Sequence, residues 1–218
     1  MRNAFDNELE KLTTDLTKMA NLVELAIENV IDAFKHHDYE VCKNIIANDR
    51  LINDMERQIE SRAFNLILRQ QPIASDLRKL TSALKIVTDL ERIGDQAADI
   101  ASLIVHIHDD HAYRTLQHIP MMAKKTKMMV REAVDAFVRQ DLQIVDMVKN
   151  MDDEIDGLFK EVKYEVSEIL KEGYENTDSC IDFLMIAKYL ERVGDHAVNI
   201  CEWVEFNLTG KVNEQKLI

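Results

Sequence analysis

The chain has 218 residues, enough for one large or two small self-sufficient cores, and 46% of them are hydrophobic. Forty acidic side chains against 27 basic ones give a formal charge of −13, which repels phosphate backbones and anionic lipid. That argues against a nucleic-acid partner and suits a cation-binding role. No run of eighteen apolar residues occurs and Met1 to Asp15 lacks the apolar core of a leader, so the expectation is a cytoplasmic protein with no membrane insertion.

Five glycines and two prolines leave few sites for tight turns, while Leu, Ile, Met, Glu and Lys abound, so the expected class is all-α. Leu9, Leu12, Leu16, Met19, Val23, Ile27, Val30 and Phe34 recur every three or four residues and predict one long amphipathic helix. The pattern pauses at His36-His37-Asp38, where Asp38 is a good N-cap. It resumes through Val41, Ile45, Ile52, Met55, Ile59 and Phe64 as a second helix. Gln70-Gln71-Pro72 breaks that helix, and Pro72 is suited to the start of a third, which carries Leu77, Leu80, Leu84, Val87, Leu90, Ala97 and Ile100. The stretch from His106 to Pro120 has no helical period and marks a boundary: 1–105 as the first repeat, 106–119 as the connection and 120–218 as the second repeat. His106, His108 and His111 with Asp109 and Asp110 read there as a solvated linker before a metal clip.

The second half repeats the first two helices at an offset of 103, pairing Met19 with Met122, Ala33 with Ala136, Asp38 with Asp141, Asp49 with Asp152 and Ile52 with Ile155. For the third helix the offset falls to 100, and the extra residues are expected in the connection around Arg69 to Pro72. There Leu90-Glu91-Arg92-Ile93-Gly94-Asp95-Gln96-Ala97-Ala98-Asp99-Ile100 returns as Leu190-Glu191-Arg192-Val193-Gly194-Asp195-His196-Ala197-Val198-Asn199-Ile200, identical at seven of eleven positions. Two tandem three-helix bundles related by internal duplication follow. Cys42, Cys180 and Cys201 are odd in number and lie in apolar patterns, as small buried residues in a reducing compartment do. The paired methionines Met121-Met122 and Met128-Met129 read as core fillers and Trp203 as an anchor.

Side chains four apart on a helix share a face, so Glu91 and Asp95 present two carboxylates together, with Asp99 one turn on. Glu191 and Asp195 do the same. The neighbouring helix offers Asp49 with Asn53 in the first half and Asp152 with Asp156 in the second. Four such oxygen donors suit a hard divalent or trivalent ion or a small multinuclear cluster: iron, manganese, magnesium or calcium, with zinc or nickel as substitutes. Glycine inside a helix costs about 1 kcal/mol, so Gly94 and Gly194 suggest a close approach by a neighbouring helix or a cluster. The plain alternative is that Glu91 and Glu191 pair with Arg92, Arg192 or Lys85 and dock the halves. Di-iron oxidase chemistry needs Glu-x-x-His pairs, which the sequence lacks, and it has neither a GxSxG elbow nor a glycine-rich phosphate loop.

The duplicated Leu-Glu-Arg-(Ile/Val)-Gly-Asp strings, with Gln71-Pro72-Ile73-Ala74-Ser75-Asp76-Leu77-Arg78 opening the third helix, resemble the PhoU family of phosphate-transport regulators over the whole chain. The resemblance implies a cytoplasmic homodimer of two-bundle chains. It implies negative regulation of phosphate uptake and phosphate-starvation signalling, coupling the phosphate ABC transporter ATPase to a sensor histidine kinase. It also implies no enzymatic activity, and metal clusters, iron foremost, on two surface patches. Carried over, the first patch uses Asp49, Glu91 and Asp95, and the second Asp152, Asp156, Glu191 and Asp195. Asn53 departs from the acidic pattern and leaves the first patch one charge poorer. A metal-dependent enzyme using the same carboxylates and a metal-free helical adaptor are the competing readings.

Overall fold

A computed structural model describes residues 2–70, 72–107, 116–172, 176–212 and 215–216. Six long helices account for nearly all of them: α1 (Arg2–His36), α2 (Tyr39–Gln70), α3 (Ala74–His106), α4 (His118–Arg139), α5 (Leu142–Lys171) and α6 (Thr177–Thr209). A two-residue antiparallel ladder, β1 (Lys211–Val212) with β2 (Gln215–Lys216), follows α6 and was not anticipated from the sequence. It begins where Gly210, at φ 75°, ends α6 in the left-handed region and sends its N–H to the Phe206 carbonyl.

Each helix exists because it has an apolar stripe to bury. On α1, Leu12, Leu16, Met19, Val23, Ile27 and Val30 are each no more than 1% exposed. Three helices per half close on one another, and the two bundles join mainly through α3 against α6, with α1 against α4 beside them. The buried apolar residues form one continuous core across both bundles, and Phe34 of α1 meets Phe183 of α6 edge to face at 6.1 Å between ring centres. Cys42, Cys180 and Cys201 are all buried in that core, and burial raises the Cys42 and Cys201 thiols to about 11 and 12. Met122 and Met129 are core residues as expected, whereas Met121 and Met128 face solvent.

The duplication extends to the joints. His37 and Gln140 both sit at φ 55°, and the following N–H, of Asp38 or Asp141, reaches back to the Ala33 or Ala136 carbonyl. Asp38 and Asp141 then cap the next helices, accepting from the Val41 N–H at 3.1 Å and the Gln143 N–H at 2.8 Å.

The change of offset lies where expected along the chain, but not in a longer loop. Residues 71–73 separate α2 from α3, while 172–176 separate α5 from α6, so the first half has the shorter connection. Its extra residues are helical: α2 has 32 residues to the 30 of α5, and α3 opens earlier relative to its repeat than α6 does. Pro72 stands before the N-cap residue Ile73, outside α3, because Ile73 is extended at φ −73° and ψ 167°.

Candidate functional site: two carboxylate patches

The first patch forms where α2 packs on α3. Ile52 is buried against Gly94, so the residues flanking them, Asp49 and Asn53 on α2 and Glu91 and Asp95 on α3, are drawn to one region. A Cβ on Gly94 would meet Ile52 Cδ1 at 2.9 Å, which explains the glycine as a place where helices touch. Asn53 Nδ2 donates to Asp49 Oδ2 at 2.9 Å. Arg92 straddles the α3 ladder, its Nε 3.4 Å from Glu91 Oε2 and its guanidinium 3.0 Å from Asp95 Oδ2. The longer contact lacks hydrogen-bond geometry. Three buried oxygens here therefore have no hydrogen-bond partner: Asp49 Oδ1, Asn53 Oδ1 and Glu91 Oε2.

Electrostatics follow from that enclosure. Burial, then the neighbouring Asp95 and Glu56 charges, raise Glu91 to about 7, against the opposing pull of Arg92. Asp49 is also raised, by burial and then by Asp95, with the Asn53 hydrogen bond pulling the other way. Glu56 is raised too, by burial and then Glu60, and sits close enough to press on Glu91. Its membership of the cluster was missed in the sequence, where it belongs to no repeated pair. Asp99 continues the ladder, raised by burial and Asp95 and eased by Arg192 of the other bundle.

The second patch repeats the plan on α5 and α6 with Asp152, Asp156, Glu191 and Asp195. Burial, then Asp195 and Asp156, raise Asp152 to about 6. Asp195 is raised by burial and Glu191, and relieved in part by Lys188. Lys188 is also the cation bonded to Glu191, so neither Arg192 nor Lys85 plays that part. Lys85 instead lies over the Trp203 ring, 5.6 Å from its centre. Gly194 again marks a close approach, here by Asp152 Oδ1, 3.3 Å from where a Cβ would stand.

The patches do not dock the bundles. That junction carries its own polar cluster, in which Asp89 Oδ1 meets His196 Nδ1 at 2.9 Å and accepts from Asn199 Nδ2 at 3.3 Å. His196 thus turns away from Asp195 toward the other bundle, and Asn199 leaves its ladder to do the same. Among the histidines of the boundary segment, His106 ends α3, while His108 and His111 lie outside the described residues.

As placed, no three His, Cys, Asp or Glu side chains among the described residues converge on a point that could hold an ion. The donor chemistry nevertheless fits a hard cation. Carboxylates from two helices are packed closely enough to raise one another, and the first patch adds oxygens that nothing satisfies.

The PhoU domain profile matches residues 16–104 and 119–204, one match per bundle. The phosphate-specific transport system accessory protein PhoU homolog of Clostridium acetobutylicum is 36% identical over 211 residues, covering 96% of each chain. PhoU homolog 1 of Thermotoga maritima is 33% identical over 208 residues, covering 95% of this chain and 90% of the relative. The crystal structure of PhoU from Pseudomonas aeruginosa superposes with a TM-score of 0.88 at 32% identity, over 95% of this chain and 100% of that one. The phosphate transport system regulatory protein PhoU from Streptococcus pneumoniae gives 0.89 at 27% identity, over 95% and 98%.

Proposed function

The chain belongs to the PhoU family, and from that premise we propose that it is a cytoplasmic, non-enzymatic negative regulator of phosphate uptake and phosphate-starvation signalling. In this reading it acts as a homodimer that couples the phosphate ABC transporter ATPase to a sensor histidine kinase. The supporting observation is coverage: relatives named as accessory proteins of phosphate-specific transport align over 95–96% of the chain. The fit to a PhoU crystal structure at 32% identity is equally complete. Among the described residues no helix is long and apolar enough to cross a membrane, so contact with a membrane transporter runs through a helical surface.

The two patches serve this role as metal sites, with Asp49, Asn53, Glu91 and Asp95 holding an ion or small cluster in the first bundle. Asp152, Asp156, Glu191 and Asp195 do so in the second. A bound divalent or trivalent ion, iron foremost, supplies the positive charge that the clustered carboxylates lack and ties together the two helices that carry them. The chain's own residues prepare for this: Arg92 and Lys188 partly neutralise their glutamates, and the unsatisfied oxygens of Asp49, Asn53 and Glu91 await a cation.

Deleting the protein should raise phosphate-starvation gene expression in phosphate-rich medium, and unchanged expression would overturn the regulatory reading. For the metal, elemental analysis of untagged protein prepared without chelators should show metal in the wild type and a clear loss in the double variant Glu91→Ala, Glu191→Ala. Equal content in both would remove the site assignment.

A further inference from the structure

Duplication provides an internal control for a second feature of the first bundle. Leu22, Leu25 and Ala26 of α1 and Asn44, Asn48 and Leu51 of α2 wall a cavity of about 270 Å³, which Asp49 and Gly94 also line. Leu25 is 51% and Leu51 46% exposed at its margin. In the second bundle residues 103 positions on bridge and partly fill the equivalent space. Leu22 and Leu51 become Lys125 and Glu154, which form an ion pair from α4 to α5. Ala26 becomes Met129, fully buried with its Cε 3.7 Å from where a Cβ on Gly194 would stand, and Asn48 becomes the half-buried Met151, while Leu25 and Asn44 become Met128 and Met147, which stay on the surface. The fold therefore has a way to fill and bridge this space, and the first bundle leaves it open with leucines on its rim.

We infer that the α1–α2 groove of the first bundle is a docking site for an amphipathic helix of a partner protein, whose apolar face enters the groove and whose lysine or arginine ends on Asp49. Two neighbouring helices make a trough that a third helix fits by ridges into grooves, and the apolar rim supplies the contact area. Charge selects the occupant. Among the described residues no cation lines the groove and Asp49 is its one acid, and Asp49 Oδ1 is buried without a hydrogen-bond partner. A docked basic group satisfies that oxygen in place of the ion proposed there. This holds whether or not the chain regulates phosphate uptake.

The test titrates the full chain into two fluorescein-labelled amphipathic helical peptides of roughly 18 residues, about five turns, one built of leucine and lysine and the other of leucine and glutamate. Fluorescence anisotropy reads binding. The wild type should bind the leucine–lysine peptide at least about tenfold more tightly than does Leu22→Lys, Ala26→Met, Leu51→Glu, which imports the second bundle's closure at unchanged net charge. Leu25→Gln, at the exposed rim, should lose binding similarly and serves if the triple variant loses helical circular dichroism; Asp49→Asn should weaken binding severalfold. Undiminished binding by the closed or rim variants overturns the assignment. Equal binding of the leucine–glutamate peptide overturns the charge preference. A wild-type dimer that the closing substitutions split into monomers would show that a second copy of this chain covers the groove, and would overturn the partner helix.

Discussion

In the first bundle Asn53 stands one turn from Asp49 and donates its amide to it, while Arg92 spans Glu91 and Asp95. In the second, Asp156 takes Asn53's place, Asp152 faces three further patch carboxylates, and Lys188 pairs directly with Glu191 and eases Asp195 from a distance. The same backbone plan thus carries two electrostatic solutions. One lowers repulsion with an amide and an arginine but strands buried oxygens. The other keeps the full set of carboxylates and places more of them in water, where Asp156 and Asp195 are exposed. Repulsion between carboxylates is tolerable when solvent screens it, and a patch that buries its donors must soften the charge instead. Under the proposed metal role the second patch is accordingly the stronger cation trap, and the first the more dependent on an external group.

The largest expected effect is the loss of metal from one patch at a time. Asp152→Ala with Glu191→Ala should weaken binding at the second patch by about 100-fold or more, while Asp49→Ala with Glu91→Ala should leave the second patch intact. Elemental analysis and calorimetric titration on both variants resolve the two. If either double variant lost all metal, the patches would form one coupled site. Next in size, Asn53→Asp restores the fourth carboxylate and should tighten the first patch about tenfold, bringing the two isotherms together. Protonation separates them again. Because an ion binds deprotonated carboxylates, affinity at the first patch should fall as pH drops below about 7, where Glu91 takes a proton, and at the second below about 6, where Asp152 does. Coincident pH profiles would contradict the different proton affinities of Glu91 and Asp152.

A third substitution acts on stability. Glu91 has its pKa raised in the folded chain, so the folded state holds its proton more tightly than the unfolded one. The penalty for its buried charge is complete above about 7 and vanishes below the ordinary glutamate value. Glu91→Gln should therefore stabilise the metal-free protein by on the order of 1 kcal/mol near pH 8 and by nothing near pH 4. Denaturant midpoints at the two pH values check the sign, and a gain at the lower pH would point to a packing cause instead.

Much of this was readable in the residues because it was written twice. The helical stripes, the caps at Asp38 and Asp141 and the oxygen ladders all follow from periods of three or four residues, which one chain carries without its neighbours. What escaped depends on who faces whom. Glu56 joins the first cluster only because α2 presents it to α3, and the partner of Glu191 turned out to be Lys188, one turn back on its own helix. The open groove was spelled out in Ala26 against Met129 and in Leu22 and Leu51 against Lys125 and Glu154, but those substitutions have meaning only once α1 is known to lie along α2. The change of offset was located correctly but assigned to a loop, because three residues can be absorbed by lengthening helices as readily as by lengthening a loop, and composition near Pro72 does not say which.

The smallest effects offer the sharpest contrast, at the paired glycines. Alanine in a helix is favoured over glycine by about 1 kcal/mol, so each Gly→Ala change starts from a gain that close local contacts reduce or reverse. At Gly94 the new methyl meets Ile52 Cδ1 at 2.9 Å and Cγ2 at 3.2 Å. Ile52 is buried, and its branch at Cβ leaves it few rotamers, so it cannot step aside without opening the core. At Gly194 the methyl meets Asp152 Oδ1 at 3.3 Å, the end of a half-buried side chain that can rotate outward and shed some of its charge repulsion. Gly94→Ala should thus destabilise by about 1 kcal/mol and Gly194→Ala stabilise by a few tenths, opposite signs at equivalent positions. Adding Ile52→Val to Gly94→Ala removes the offending Cδ1 and should recover part of the loss, as a double-mutant cycle would register. Equal signs for the two alanines would mean that the bundles pack alike at this turn and that the difference between the patches lies in charge alone.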